Sequence, residues 1–164
     1  MKIITKEERN VVLMGLLEYY RFLKKDARNH ILNAIRFHKN HMASRETGSE
    51  EMQNLKKEYK EITRKITAVE HLKIRWNSVG IEEKQSIISD LIQFYDSYCF
   101  SKYQLVRNAA IIYRTYRKLC GIIPDSEVED AYNEFENRKL LYRNVQHKLE
   151  ISKLLLENLL NEEG

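Results

Sequence analysis

Proline occurs once in this 164-residue chain and glycine five times. Turns and loops draw on these residues for their special backbone angles, so few connections are available and the segments between them must be few and long. Cysteine is as sparse. Cys99 and Cys120 form neither a CxxC pair nor a disulfide framework, and each stands among apolar or aromatic neighbours, which reads as a buried free thiol. No apolar run approaches the roughly 18 residues that span a bilayer. The opening Met1-Lys2-Ile3-Ile4 is followed at once by Lys6, Glu7, Glu8 and Arg9, which excludes the apolar stretch of a secretory leader. These absences point to a cytoplasmic chain with no membrane-embedded part. Nothing alternates with period two for long enough to make a strand, and there is no Gly-rich phosphate loop, internal repeat or low-complexity tract.

What is present is 43% hydrophobic and 32% charged. That balance supports a packed core and solvated faces, the composition of long amphipathic helices rather than of a disordered chain. Abundant Ile, Lys, Asn and Tyr with little Ala fits an AT-rich coding genome, such as that of a low-GC bacterium or its phage.

Hydrophobic spacing sets out the helices. Thr5 and Glu8 have the spacing of a capping box, and a stripe follows at Leu13, Leu16, Tyr20, Leu23, Ala27, Ile31, Ala34, Phe37 or His38, and Met42, mostly in steps of three and four. The spacing predicts a first helix over about 5–42 and a loop over 43–49, where no apolar period exists. Met52, Leu55, Tyr59, Ile62, Ile66, Val69, Leu72 and Trp76 predict a second helix over about 50–76. Their near-heptad spacing makes the first two helices an antiparallel, coiled-coil-like hairpin. A third helix is expected over 81–97 and a fourth over 101–120, with a break where Ser97, Tyr98, Cys99, Phe100 and Ser101 crowd together. Gly121 and Pro124 end the apolar stripe of Leu105, Val106, Ala109, Ile112, Tyr113, Tyr116, Leu119 and Cys120. Ser126 with Glu129 reads as a second capping box, opening a last helix over about 126–161. The wide apolar end of that helix, Leu154–Leu156 with Leu159 and Leu160, must meet two neighbours or another chain. The expected fold is therefore a single all-α domain spanning 1–164, an elongated bundle of four to five long helices.

Charge is unevenly distributed. Residues 21–45 carry a net +6, residues 101–124 a net +5 without any acid, and residues 125–164 a net −5, although the whole chain is only +4. Either the acidic last helix neutralises a basic neighbour, or a basic face stays free for phosphates or an acidic partner. The residues in question are Lys24, Lys25, Arg28, Arg36 and Lys39 in the first segment, and Lys102, Arg107, Arg114, Arg117 and Lys118 in the second. Tyr103, Tyr113 and Tyr116 interleave with the second set. That is a combination nucleic-acid binders use, cations on phosphates and aromatic faces on bases; the alternative is that Tyr113 and Tyr116 are core residues. A helix-turn-helix over 81–120, with its basic helix ending in Tyr113–Lys118, is a further form of that reading.

His38 and His41 are three residues apart, but no nearby carboxylate or Cys completes a metal site. His30 and His41, eleven residues apart, stand about 16 Å apart along a helix axis. Arg36 and His41 have an Arg-x4-His spacing that resembles the signature of the HEPN ribonucleases, which are also helical bundles. The resemblance covers two residues on the first helix, with Phe37 where that family often has a polar residue, and it does not carry the family's activity over. No Ser/His/Asp or Cys/His arrangement is legible, and Glu82 and Glu83 are explained by a helix first turn. No catalytic residue, metal or cofactor is assigned. The expected function is a non-enzymatic protein-interaction module, a small regulator, inhibitor or adaptor of a kind that phages and mobile elements carry, with a protein partner or self-association. The alternative is a nucleic-acid-binding regulator using the basic faces 21–45 and 102–118.

Overall fold

The structure, a computed structural model, describes residues 3–40 and 45–162, the side chains at 38, 40, 45–49 and 162 excepted. It is an all-α helical bundle of four long helices: α1 (Lys6–Asn40), α2 (Arg45–Ile74), α3 (Ile81–Lys118) and α4 (Asp125–Glu162), with one 3-10 turn at Trp76–Ser78. None of these helices is long and apolar enough to cross a membrane. The chain divides into two compact units, residues 10–87, and residues 1–9 together with 88–164.

In the first unit α1 and α2 form an antiparallel hairpin. Lys73 Nζ meets Met14 Sδ at 3.1 Å, Arg21 holds Glu70 at 2.9 Å, and Lys24 lies over the Tyr59 ring at 5.3 Å. Numbers rising on α1 thus meet numbers falling on α2. Val12, Leu13, Leu16, Leu17, Tyr20, Ala27 and Ala34 are buried on one side, and Ile62, Ile66, Val69 and Leu72 on the other. Leu23 and Ile31, placed inward by spacing, are half-buried. Removing a Leu side chain from water contributes about 2 kcal/mol, so this seam outweighs the exposed Arg21–Glu70 pair, worth at most about 1 kcal/mol. Trp76 ends the hairpin below Lys84, whose Nζ lies 5.3 Å from the indole ring and which is itself 8% exposed.

The second unit is a hairpin of α3 and α4, again antiparallel. Tyr113 packs on Tyr132 and Phe135, with centroids 5.3 and 6.1 Å away, while Tyr103 meets Tyr142 at 5.9 Å. On α3 the inward residues are Tyr95, Cys99, Lys102, Val106, Ala109, Tyr113 and Tyr116. On α4 they are Phe135, Arg138, Tyr142, Val145, Leu149, Ser152, Leu156 and Leu159. Both sets step by three and four, the a and d positions of a heptad. Ser152 is fully buried, its hydroxyl satisfied by donating to the Lys148 carbonyl at 2.8 Å.

Several local expectations are corrected. Helix α3 is unbroken across 97–101, because the residues there suit a helix after all. Ser101 Oγ donates to the Ser97 carbonyl at 3.2 Å, Phe94 stacks on Tyr98 one turn on at 5.8 Å, and Lys102 covers Tyr98 at 4.9 Å. Crowding at i, i+4 is neighbour contact on a helix, not conflict. An unbroken α3 also removes the turn that a helix-turn-helix over 81–120 requires. Helix α2 begins at Arg45, inside the segment expected to be a loop. Periodicity reports packing, and a helix can extend past its packed face without one; residues 43 and 44 lie outside the described residues. Helix α2 ends at Ile74 rather than Trp76, which belongs to the 3-10 turn, and Met42 lies outside the described residues. The Thr5–Glu8 box is present in both directions, Thr5 N to Glu8 Oε2 at 2.9 Å and Glu8 N to Thr5 Oγ1 at 3.1 Å. The second box is not, since α4 starts at Asp125 and Ser126 falls in its first turn; Pro124 pre-sets that start and its carbonyl accepts from Glu127 N at 3.0 Å. The wide apolar end of α4 is covered within this chain: Ile151, Leu155 and Leu159 are all at most 5% exposed, Leu160 remaining out at 53%.

Gly121 ends α3 with φ +87°, the backbone region that costs a side-chain-bearing residue about 1–2 kcal/mol. A Cβ there would touch nothing within 4 Å, and the same holds at Gly80, which has no positive φ. Gly121→Ala is therefore expected to lower stability by about 1 kcal/mol, and Gly80→Ala to leave it level or raise it slightly, as read by urea unfolding.

Candidate interaction faces

Among the described residues the acidic helix does not neutralise its basic neighbour by direct pairing. Within the α3–α4 unit, Glu134 holds Arg138 at 2.6 Å and Glu136 holds Lys139 at 2.8 Å, so both acids are engaged by cations of their own helix. Arg107, Arg114, Arg117 and Lys118 are exposed, and none makes an ion pair with a described residue. The loop between the helices is short, which keeps their charges near one another, but Arg107, Arg114 and Lys118 lie on the side of α3 turned away from α4.

Helical geometry explains this. Phe100, Arg107, Ile111, Arg114 and Lys118 step by seven, four, three and four, which draws one line along α3 opposite its inward seam. Arg107 to Lys118 covers about 16 Å at 1.5 Å per residue. The apolar members are exposed as well, Phe100 at 66% and Ile111 at 53%. Of the other expected site residues on α3, Lys102 is half-buried over the Tyr98 ring, and Arg117 lies one step to the side of the line.

Helix α1 repeats the pattern within its own unit. Lys25, Arg28, Leu32, Arg36 and Lys39 form an outward line with Ile35 beside it, all exposed. Lys24 is set apart, half-buried against Tyr59. Spacing thus brings Lys25, Arg28, Arg36 and Lys39 together on one line, and Arg107, Arg114 and Lys118 on another, with the two lines in different units.

The sequence reading missed the apolar half of these faces. Its signal was available, since Phe100, Ile111, Leu32 and Ile35 fall off the three-four stripe, but sequence alone does not say which of several apolar lines on a helix gets covered. The tyrosines resolve the other way. Tyr113 is packed on Tyr132 and Phe135, Tyr116 is half-buried, and Tyr103, 49% exposed, lies against Tyr142.

Among the histidines, His30 Nε2 lies 3.8 Å from Asp26 Oδ2, both exposed. The His38 side chain and all of His41 lie outside the described residues, and with them the Arg-x4-His spacing. Among the described residues no group of three His, Cys, Asp or Glu side chains is placed to hold a metal ion. Beside this, a shallow groove on the α1–α2 unit is lined by His30, Asn33, Ala34, Phe37, Glu51 and Leu55.

The cysteines differ, against the expectation that both are buried. Cys99 is buried and Cys120 exposed, its Sγ 4.0 Å from Asp125 Oδ1. Cys120 falls where α3 gives way to the turn, so no helix covers it. Burial, and after it the negative charge of Asp96, push the Cys99 thiol up against the opposing pull of Lys153. At neutral pH a maleimide is expected to label Cys120 at least about tenfold faster than Cys99, because Cys120 is exposed while Cys99 is buried and its thiol is pushed up. Peptide mapping of partly labelled protein reads the ratio; equal rates would mean that Cys99 is not enclosed.

No protein-family model, curated protein or solved structure matches this chain.

Proposed function

We propose that the protein is a non-enzymatic interaction module, a small regulator, inhibitor or adaptor, which holds a protein partner whose contact surface is acidic and partly apolar. The observation that carries this reading is the outer line of α3, where the unpaired Arg107, Arg114 and Lys118 alternate with the exposed Phe100 and Ile111. Cations steer and orient an acidic partner, and apolar side chains between them supply the contact area that charges alone do not. The outer line of α1 has the same make-up. An unbroken α3 of 38 residues suits a module that presents a continuous helical face.

Nucleic-acid binding through 21–45 and 102–118 is the second reading, favoured by the same unpaired cations. It is weaker because Tyr113 and Tyr103 pack on rings of α4 and Tyr116 is half-buried, and because aliphatic groups have no use against phosphates.

The deciding experiment is capture from the native host with the parent chain and with an Arg114→Gln/Arg117→Gln/Lys118→Gln variant, each with and without nuclease. A protein retained by the parent after nuclease, and lost from the variant, supports the proposal. A nucleic acid retained in place of a protein, released steeply as salt rises, supports the second reading. Identical capture by parent and variant would sink both.

A further inference from the structure

Helix α3 carries a second apolar line, distinct from its cationic one. The residues just before each a position, the g positions, are Leu91, Tyr98, Leu105 and Ile112, and on α4 they are Glu134, Leu141, Lys148 and Leu155. Because the two helices run antiparallel, these lines flank the same side of the hairpin; Tyr103 meets Tyr142, which sets Leu105 and Leu141 at one level. The flank changes state along its length. At one end Leu91 is 0% and Leu155 5% exposed, while toward the other Tyr98, Leu105, Ile112 and Leu141 are 39, 38, 51 and 45% exposed. The pattern that is covered at one end continues uncovered at the other. On α3 the adjoining outward residues Ser101, Asn108 and Thr115 are uncharged, and the cation nearest this line is Lys102, which lies over the Tyr98 ring.

We propose that this flank binds a second copy of the same chain about a two-fold axis, with α4 crossing α4 antiparallel at Leu141. The argument is charge complementarity. Along the α4 line the order is Glu134, Leu141, Lys148, at equal seven-residue steps on either side of Leu141. A two-fold axis at Leu141 reverses one line upon the other, which sets Glu134 of each copy opposite Lys148 of the other, twice per dimer. A parallel arrangement would set like charges together. Glu134 engages Arg138 through Oε1, and Lys148 makes no ion pair with a described residue. Leu105, Ile112 and Leu141 of each copy then close a small four-helix core. Few side chains take part, well short of the ~800 Å² per partner of a standard interface, so the dimer is weak and self-association is a matter of concentration. This surface is separate from the cationic line, and the inference does not rest on the function proposed above.

The test is sedimentation velocity of the full chain across a concentration series up to several hundred micromolar, with circular dichroism confirming helicity. The parent is expected to show a monomer–dimer equilibrium. Glu134→Lys and Lys148→Glu, each placing two like-charge pairs across the interface, are expected to raise the dissociation constant by about tenfold or more, and the double exchange to restore it. Should either reversal disturb helicity, Glu134→Gln and Lys148→Gln serve with a smaller shift. In a chain with Cys99→Ser and Cys120→Ser, Leu141→Cys is expected to give a disulfide-linked dimer on mild oxidation, because the axis brings the two residues together. A monomer at every concentration, a dimer indifferent to the single reversals, or single losses that the double exchange does not repair would each overturn the proposal.

Discussion

Glutamine in place of Arg114, Arg117 and Lys118 together is expected to weaken partner binding on the order of a hundredfold, loss of capture in a pull-down, while leaving unfolding free energy within about 0.5 kcal/mol of the parent. The contrast follows from where these side chains are. All three are exposed, Arg114 and Lys118 on the side of α3 turned away from α4 and Arg117 beside the seam, and none pairs with a described acid. Their removal deletes no buried contact, and in isolation it relieves mutual repulsion among like charges. Against an acidic partner the same charges act together, on the encounter rate first and then on the lifetime of the complex. Isothermal titration at two salt concentrations measures the loss, and thermal unfolding measures the fold. The variant's residual binding is expected to depend less on salt than the parent's. A variant that binds as tightly as the parent would remove α3 from the interface, and one that unfolds early would mean that these cations are structural.

Leu91→Ala is expected to lower stability by about 3 kcal/mol, and Leu105→Ala by about 1 kcal/mol or less. The two leucines occupy the same heptad position on the same helix, two heptads apart, so helix propensity and side-chain chemistry cancel in the comparison. What differs is cover: Leu91 is 0% exposed and Leu105 38%. Truncating the first leaves a cavity among atoms that can collapse only in part, while truncating the second removes surface already shared with water. For a chain of this length the first corresponds to a fall of roughly 10 °C in melting temperature. Measured at low micromolar concentration, where self-association is small, the pair reads how far along α3 the flank is covered. Equal losses would mean that the cover extends past Leu105.

Much of the helical framework was legible without coordinates. Thr5 and Glu8 cap α1 as their spacing requires, Gly121 stops α3 with the positive φ that only glycine takes cheaply, and the steps of three and four through Leu13, Leu16, Tyr20 and Ile62, Ile66, Val69, Leu72 mark the sides that are buried. These are local matters. A cap, a C-terminal glycine and an apolar period are each settled within a few residues of sequence, and they agree because one backbone geometry satisfies all of them. The error at Ser97–Ser101 is also local and instructive: serine and aromatic residues lower helix propensity one at a time, but at i, i+4 the rings of Phe94 and Tyr98 meet and Lys102 covers Tyr98, contacts that offset that small deficit.

The candidate faces were legible only as composition. Sequence located the cations of 21–45 and 102–118 and raised the question whether the acidic α4 cancels them. It could not answer, because ion pairing depends on the azimuth at which two helices meet. Tertiary packing decided it, turning Tyr113 inward onto Phe135 and leaving Arg107, Arg114 and Lys118 outward while Glu134 and Glu136 found partners on their own helix. It likewise decided which apolar line of α3 is core. Leu105 and Ile112 fit the inward stripe by spacing as well as Val106 and Ala109 do, but a helix packed against a single neighbour covers about a third of its circumference, and the seam ran through 106 and 109. The sequence by itself determined that the chain makes long helices, where most of them start and stop, and how much charge each carries. Only the tertiary structure decided which of the several apolar lines on α3 is covered and whether its cations meet the acids of α4, since that is a property of two helices in contact and of no single segment.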